Sequence, residues 1–223
     1  MMKSIGIIDY GASNLGNIVK VLKNFNTNIK IVHTNKDLKY VDKIILPGIG
    51  SFKLAIDNLR KKGLDEEIIE FAAKGKLILG ICLGMQLLFS TSNETGLQPN
   101  LSKKINKVKK IKGLNLISGS VLSLKNIDKK IIIPNIGWNK IYNNKKKTYN
   151  KYFNKLGNII NNKYYFSHSF FSQCNEYVEA QYIILKNKKV IASVAKNNIC
   201  GLQFHPEISG AQGHKILKNF SKI

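Results

Sequence analysis

The sequence is poor in cysteine: only Cys82, Cys174 and Cys200 occur in 223 residues, and no two of them form a C-x-x-C pair. An odd number of cysteines without such a pair argues against a disulfide framework and against a structural zinc site. Few cysteines are also typical of a reducing compartment. One of the three thiols therefore becomes a candidate nucleophile, and we expect neither a metal nor another cofactor.

Long apolar segments are missing as well. Crossing a bilayer takes ~20 apolar residues, and the richest stretch, 77–89, is interrupted by Gly80, Gly84 and Gln86. The chain reaches Asp9 too early for a secretory signal sequence. We therefore expect a soluble, cytoplasmic protein with no membrane partner.

Acidic residues are few, and arginine is nearly absent. Lys and Arg number 36 against 13 Asp and Glu, which gives a formal net charge of +23, and Arg60 is the only arginine. Excess positive charge can indicate nucleic-acid binding. Proteins that read DNA sequence favour arginine, however, because its planar fork pairs bidentately with phosphate and guanine. Lysine alongside abundant Asn and Ile instead indicates drift in an A/T-rich genome, so we expect no nucleic-acid partner.

The first half of the chain alternates short apolar runs with segments of helical periodicity. Apolar runs at 5–8, 29–32, 43–46 and 77–79 predict strands, and the segments between them carry apolar residues every three or four positions. Strands separated by helices of this length predict a parallel sheet that is covered on both faces.

After about Thr91 the pattern changes to shorter predicted strands, partly antiparallel. The segment 113–120 predicts a loop, and the Lys/Asn/Tyr-rich segment 140–162 predicts an exposed insertion. Strands are predicted at 121–124, 130–133, 164–166, 177–185, 190–194 and 200–204, with a final helix at 215–220. No linker separates two cores, so we expect a single α/β domain over 1–223.

Gly80-Ile81-Cys82-Leu83-Gly84 directly follows a predicted buried strand. It is the cysteine form of the G-x-S-x-G nucleophile elbow. A nucleophile at such a tight turn has a strained backbone, and flanking Cβ atoms would collide, which explains both glycines. The following helix offers free N–H groups and partial positive charge, which favour a thiolate and can hold an oxyanion. A buried cysteine between two packing glycines is the structural alternative.

Two further motifs could complete such a site. His205 and Glu207 stand on either side of Pro206; a thiol nucleophile needs a base, and the base needs a carboxylate that fixes its tautomer. The glycines of Leu46-Pro47-Gly48-Ile49-Gly50 would let backbone N–H groups turn toward a ligand, as an oxyanion hole requires, although a simple strand-to-helix turn has the same pattern. These motifs become strong evidence only if the fold brings Cys82 and His205 together.

Together the motifs resemble the class I, triad-type glutamine amidotransferases, and within them the glutaminase subunits of imidazole glycerol phosphate synthase. The resemblance covers nearly the whole chain, and its elements occur in the family's order. They are Ile8-Asp9-Tyr10-Gly11, Pro47-Gly48-Ile49-Gly50, Gly80-Ile81-Cys82-Leu83-Gly84-Met85-Gln86-Leu87-Leu88-Phe89, Gly137-Trp138-Asn139 and Gln203-Phe204-His205-Pro206-Glu207. The resemblance implies a flavodoxin-like α/β fold with a mostly parallel central sheet and antiparallel strands in the C-terminal half.

The implied activity is hydrolysis of glutamine to glutamate and ammonia through a cysteine thioester. The resemblance implies Cys82 as nucleophile, His205 as general base and acid, and Glu207 as the residue that orients His205. It further implies that the backbone at Gly48, Ile49, Gly50 and Leu83 forms an oxyanion hole. The side chain of Gln86 would contact the glutamine substrate. The implied partner is a (β/α)8-barrel cyclase subunit, docked in a heterodimer on the face that bears Cys82 and Trp138. His168 and Phe170-Phe171 correspond to a stretch near that interface.

Three positions depart from the family pattern, and we expect them near the partner interface rather than at the triad. Ser13 replaces a glycine, Asn135 replaces a histidine after Pro134, and Ile208 replaces a basic residue. The segment 113–117 also resembles paralogues that feed ammonia to sugar-amidating synthases in surface polysaccharide biosynthesis. Three functions therefore stay open at this point: the histidine-pathway glutaminase, a sugar-pathway glutaminase, and a basic binding module without catalysis.

Overall fold

The computed structural model describes residues 3–11, 15–94, 110–143 and 150–223. The strands are Ile5–Ile8 (β1), Ile29–Val32 (β2), Lys43–Leu46 (β3), Leu77–Ile81 (β4), Phe89–Ser92 (β5), Ile111–Lys112 (β6), Ile117–Ser123 (β7), Asn135–Lys140 (β8), Tyr142–Asn143 (β9), Lys163–His168 (β10), Phe170–Cys174 (β11), Glu179–Leu185 (β12), Lys188–Lys196 (β13) and Ile199–Leu202 (β14). The α-helices are Leu15–Lys23 (α1), Phe52–Lys61 (α2), Leu64–Ala73 (α3), Leu83–Leu87 (α4), Lys151–Lys155 (α5) and Gly210–Lys222 (α6). Short 3-10 helices lie at Asn35–Tyr40, Leu124–Asn126 and Pro206–Ile208.

The central sheet has eight strands in the order β2-β1-β3-β4-β14-β13-β12-β9. The first five strands are parallel to one another, and the last three add antiparallel pairs. This order of the parallel strands is that of flavodoxin-like sheets, in which ligands bind at the carboxyl ends of the strands. The expected fold class, including the antiparallel C-terminal part, is confirmed.

Alternate residues of the buried strands pack on opposite layers. Ile45 of β3 packs in the core that contains α1 and α6, whereas its neighbours Ile44 and Leu46 pack in the core that contains α2 and α3. Because side chains along a strand alternate between the two faces of a sheet, a strand covered on both faces is apolar throughout. This explains why the first strands read as continuous apolar runs.

Two smaller sheets cover the carboxyl edge of the central sheet, and the sequence predicted them poorly. One has the order β11-β7-β5-β6, and the other pairs β10 with β8. The prediction of a loop over 113–120 is wrong from Ile117 onward, and the strand predicted at 130–133 does not form. These strands contain Gly, Ser and Asn, and their pairing depends on distant partners rather than on local propensity.

The prediction of an exposed insertion over 140–162 is wrong for its second half. Phe153, Leu156 and Ile159 are buried in the central core, and the Asn150 side chain caps α5 by accepting hydrogen bonds from two backbone N–H groups. Only Phe153 lies within the short helix, Leu156 follows its last turn and Ile159 lies beyond it, so the Lys- and Asn-rich sequence around them carries no periodic signal of this burial. Residues 144–149 lie outside the described residues. Among the helices of the described ranges, none combines the length and apolarity that a membrane span requires.

Candidate active site

Cys82 lies between β4 and α4, at the carboxyl edge of the sheet. Its backbone has φ 52° and ψ −110°, a conformation that costs a non-glycine residue on the order of 1–3 kcal/mol. The Cys82 N–H donates to the Leu202 carbonyl at 2.7 Å, which ties the turn to β14. Its side chain is 6% exposed and lines a cavity of about 240 Å³.

Gly80 and Gly84 of the elbow have no room for a side chain, because other backbone atoms pass very close to both residues. A Cβ on Gly84 would lie 1.7 Å from the Leu46 carbonyl oxygen, and a Cβ on Gly80 would lie 2.8 Å from the Gly84 carbonyl oxygen. Neither position can therefore take a larger residue without moving the backbone. The collision expected from the sequence is present in the fold.

His205 reaches the same cavity from the loop after β14. Its backbone N–H donates to the Tyr165 carbonyl at 3.0 Å, and the Ser209 hydroxyl donates to its carbonyl at 2.6 Å. The ring Nδ1–H donates to Glu207 Oε1 at 2.8 Å, which leaves Nε2 for Cys82. The fold thus brings Cys82, His205 and Glu207 together.

The electrostatics of this cluster favour a charged His205 ring. Burial by itself lowers the pKa of His205, but the interactions with Cys82 and Glu207 together raise it to about 10. The other two thiols differ, since burial raises the pKa of both Cys174 and Cys200 to about 12. Cys82 is therefore the thiol with a cationic partner.

The segment after β3 forms one wall of the cavity. Ile49 and Gly50 line it, together with Leu83 and Gln86, and Gly50 has φ +92°. Gly48 lies behind the lining, where a Cβ would come 2.3 Å from the Tyr10 hydroxyl oxygen. The predicted oxyanion-hole residues thus gather beside Cys82, with Gly48 as packing support.

His168 lies in the cavity wall as a neutral ring. Its Nδ1–H donates to the Phe170 carbonyl at 2.8 Å, and its Nε2 accepts a hydrogen bond from Asn135 Nδ2 at 3.0 Å. Burial lowers the pKa of His168 to about 4, and the charge on His205 lowers it further. Asn135, one of the departures from the family pattern, therefore contacts a residue of the active-site wall.

The other sequence-predicted residues lie in various places. Phe170 lines the cavity, whereas Phe171 lines a separate groove. Ile208 is 42% exposed on the 3-10 helix that follows His205. Ser13 lies outside the described residues.

Sequence reasoning missed Glu94, which lines the same cavity. It follows β5, and its Oε2 accepts a hydrogen bond from the Phe52 N–H at 3.1 Å. Burial raises the pKa of Glu94. Recognising β5 as a strand that ends near the nucleophile would have drawn attention to this carboxylate.

Comparison with known proteins agrees with this geometry. Residues 6–223 match the family described as "Glutamine amidotransferase class-I". A relative from Caldanaerobacter subterraneus subsp. tengcongensis, named "Imidazole glycerol phosphate synthase subunit HisH", is 41% identical, with 98% of each chain covered. Relatives of the same name from Bacillus velezensis and Lactococcus lactis are 37% and 36% identical, with 98% of this chain covered and 96% and 98% of theirs.

Solved structures agree at the level of the fold. One entitled "Crystal structure of glutamine amidotransferase" has a TM-score of 0.68 at 14% identity, covering 98% of this chain and 99% of the other. "Structure of PurLQS from Thermotoga maritima" has a TM-score of 0.66 at 20% identity, covering 99% and 98%. From its sequence match, its relatives and its fold, this chain belongs to the class I glutamine amidotransferase family.

Proposed function

We propose that this protein is the glutaminase subunit of an imidazole glycerol phosphate synthase, built as a single domain over 1–223. It hydrolyses glutamine to glutamate and ammonia and passes the ammonia to a cyclase subunit, which forms imidazole glycerol phosphate and AICAR in histidine biosynthesis. The observation that carries this proposal is the meeting of Cys82, on its strained elbow, with the His205–Glu207 pair in one cavity. The names of the relatives support the choice of pathway.

The geometry accounts for each chemical step. The Cys82 thiolate attacks the side-chain amide carbon of glutamine, and, once the partner is bound, backbone N–H groups near Gly50 and Leu83 stabilise the developing oxyanion. His205 donates its proton to the leaving ammonia, which leaves a thioester on Cys82. His205 then takes a proton from water as the water attacks the thioester, and the C–S bond breaks. Glutamate is released with one proton to solvent, which regenerates the Cys82 thiolate and the protonated His205. Glu207 keeps the ring oriented and stabilises its cation throughout.

Two cavity side chains suit the rest of the glutamine molecule. Glu94 is a partly buried carboxylate in the cavity wall, and the α-ammonium of glutamine is the cation that complements it. Gln86 lies beside Cys82 and offers its amide oxygen to the substrate, because its nitrogen already donates to the protein. Together these residues select an amino acid with an amide side chain.

The ammonia needs a partner that receives it directly, because free ammonia becomes ammonium in neutral water and stops being a nucleophile. The rim of the cavity offers apolar residues for docking: Ile49 is 47%, Ile136 61% and Trp138 54% exposed. Ile136 lies opposite Ser167, which lines the cavity. Large exposed apolar side chains grouped at a site mark interaction surfaces. We propose that this rim docks on a (β/α)8-barrel cyclase in a cytoplasmic heterodimer.

The alternatives have less support. A glutaminase for a sugar-amidating synthase is not favoured, because the relatives described above carry the histidine-pathway name. A binding module without catalysis does not account for a strained cysteine beside a histidine–carboxylate pair.

Replacing the nucleophile tests the mechanism. In the presence of the cyclase subunit and its ribonucleotide substrate, Cys82→Ala should abolish glutamate release from glutamine and leave the fold intact, since a thiol is exchanged for a hydrogen at the end of one small side chain. Cys174→Ala is the matched control and should keep wild-type activity, because Cys174 lies outside the cavity. Glutamate release by purified Cys82→Ala above the no-enzyme rate would contradict the mechanism.

Adding the partner tests the pathway. The isolated chain should be nearly inactive, because we expect the segment 47–50, in which Ile49 is 47% exposed, to turn its N–H groups toward the oxyanion only when the partner and its ligand bind. The cyclase subunit with its ribonucleotide substrate should stimulate glutamate release strongly. Full activity of the isolated chain, or stimulation only by a sugar-amidating synthase, contradicts the histidine-pathway assignment.

A further inference from the structure

Gln203 is a completely buried polar residue that the mechanism above does not use. It lies on the loop after β14, and its Nε2 donates to Cys82 Sγ at 3.8 Å. Its Oε1 accepts a hydrogen bond from Gln86 Nε2 at 3.0 Å. The side chain therefore bridges a cavity-wall residue and the nucleophile.

The Phe170 carbonyl can only accept hydrogen bonds, and it fixes the orientation of both amide groups in this bridge. The Phe170 carbonyl accepts from Gln86 Nε2 at 3.1 Å and from His168 Nδ1 at 2.8 Å, which uses both of its lone pairs. Gln86 must therefore present its NH2 group to this carbonyl, and its second hydrogen points to Gln203. Gln203 must in turn present its oxygen to Gln86, so only its NH2 group can face the sulfur.

We propose that Gln203 is a further catalytic residue: its amide N–H stabilises the Cys82 thiolate, in an orientation set through Gln86 by the Phe170 carbonyl. The proposal rests on the proposed function, in which Cys82 is the nucleophile. A thiolate accepts hydrogen bonds far better than a thiol does, so a fixed donor favours the charged form. Water does not compete with this donor, because Gln203 is fully buried.

Among the other groups around Cys82, some favour the thiolate and others favour the thiol. His205, backed by Glu207, favours the thiolate, whereas the Ser167 carbonyl, 3.8 Å from Sγ, can accept only from the thiol. Glu94 lines the cavity and disfavours a second negative charge, and His168 is neutral. The remaining group is the buried hydroxyl of Tyr10, which stays protonated because burial raises its pKa. All of these groups stay in place when Gln203 alone is replaced.

The test follows the alkylation of Cys82 by iodoacetamide as a function of pH, with the modified peptide quantified by mass spectrometry. Gln203→Met keeps the length of the side chain and removes the donor, so the rate constant at pH 7 should fall roughly tenfold. The midpoint of the rate–pH curve should rise by about one unit. Gln203→Glu places an acceptor beside the sulfur and should slow alkylation further, by roughly a hundredfold.

Three controls separate this role from a structural one. Gln181→Glu changes a buried glutamine whose oxygen accepts from Ser193, away from the cavity, and should leave the Cys82 curve unchanged. Cys174 and Cys200 report folding, because burial raises the pKa of both thiols to about 12, so both should be alkylated slowly in the native protein and faster when it unfolds. Gln86→Met removes the anchor but not the donor, so it should slow alkylation less than Gln203→Met does. It also carries the test if both Gln203 variants unfold.

A Gln203→Met protein that keeps Cys174 and Cys200 protected and shows the wild-type Cys82 curve overturns the proposal. That outcome leaves the glutaminase mechanism standing, because Cys82 would still react first. Failure of the proposed function looks different: Cys82 would react no faster than Cys174 in the wild-type protein, or Cys82→Ala would release glutamate.

Discussion

At the scale of single residues, the active site depends on holding two neighbouring histidines in different charge states. His205 is cationic because Cys82 and Glu207 stabilise the charge, and His168 is neutral because it is buried. The folded-state pKa of His168, about 4, lies below the ordinary value of 6.5, so the native state binds fewer protons than the unfolded chain. The stability that this residue contributes is present above about pH 6.5 and is lost as the pH falls toward 4.

Asn135→Asp should reverse the state of His168. A carboxylate in place of the amide accepts a hydrogen bond from Nε2, so it should raise the pKa of His168 toward neutrality. Nitrogen-15 NMR checks this, because the chain has only four histidines. The wild type should show His168 as the neutral Nδ1–H form from pH 5 to 8, whereas the variant should show an imidazolium at pH 6. Asn139→Asp, on the same strand, is the control with the same charge change. An unchanged His168 spectrum in Asn135→Asp contradicts the hydrogen bond.

At the scale of secondary-structure elements, the elbow depends on the close approach of β3 and α4. The Leu46 carbonyl at the end of β3 meets the α-carbon of Gly84 in α4. This contact places the segment 47–50 against the start of α4, so that the residues proposed for the oxyanion hole come from two adjoining segments. The glycine is thus needed for the distance between two elements rather than for its own dihedral angles.

Gly84→Ala should therefore cost both stability and activity. The added Cβ would overlap the Leu46 carbonyl, so we expect a loss of about 3 kcal/mol in the free energy of unfolding and little glutaminase activity. Gly16→Ala is the matched control, because no atom lies within 4 Å of a Cβ at that helical position, and it should stabilise the protein by about 0.5 kcal/mol. Urea unfolding of both variants makes the comparison. A Gly84→Ala protein as stable and active as Gly16→Ala would show that the elbow tolerates a side chain.

At the scale of the whole molecule, the net charge of +23 is the most unusual property. Apart from the His205–Glu207 pair, the described ranges contain only five ion pairs between a basic and an acidic side chain. Most of these five lie on the surface. Most lysines of the described ranges therefore have no acidic side chain within ion-pair distance. Such a surface attracts polyanions at long range, with no preference for sequence.

Filter binding to duplex DNA checks whether this charge has a specific function. We expect weak binding at 50 mM salt that is lost by 200 mM salt, because non-specific binding depends on the release of counterions and falls by roughly 10³–10⁵ over that range for 6–10 phosphate contacts. Binding that survives at 200 mM salt and prefers one sequence contradicts the interpretation of the charge as a compositional bias.

The proposed chemistry and the first half of the fold could both be predicted from local patterns in the sequence. The motif around Cys82 is local, because a strand, a strained turn and a helix are adjacent in the chain, and the glycines that permit the turn flank it. The apolar runs of β1, β3 and β4 are equally local signals, since a strand buried on both faces is apolar at nearly every position, with the buried Lys43 of β3 as an exception. His205 and Glu207 are also predictable, because a base and its carboxylate two residues apart form a recognisable pattern.

How these parts meet could not be predicted from the sequence, because it depends on pairing between distant strands. The parallel pairing of β14 with β4 aligns Leu202 with Ile81 and so brings His205 to Cys82 across 123 positions of sequence, a register that no local pattern encodes. The same holds for Glu94, His168 and Gln203, which are single polar residues in short strands or loops. Their roles depend on burial, on the hydrogen bonds that the Phe170 carbonyl accepts and on the distance to Cys82 Sγ. These properties exist only once the chain has folded.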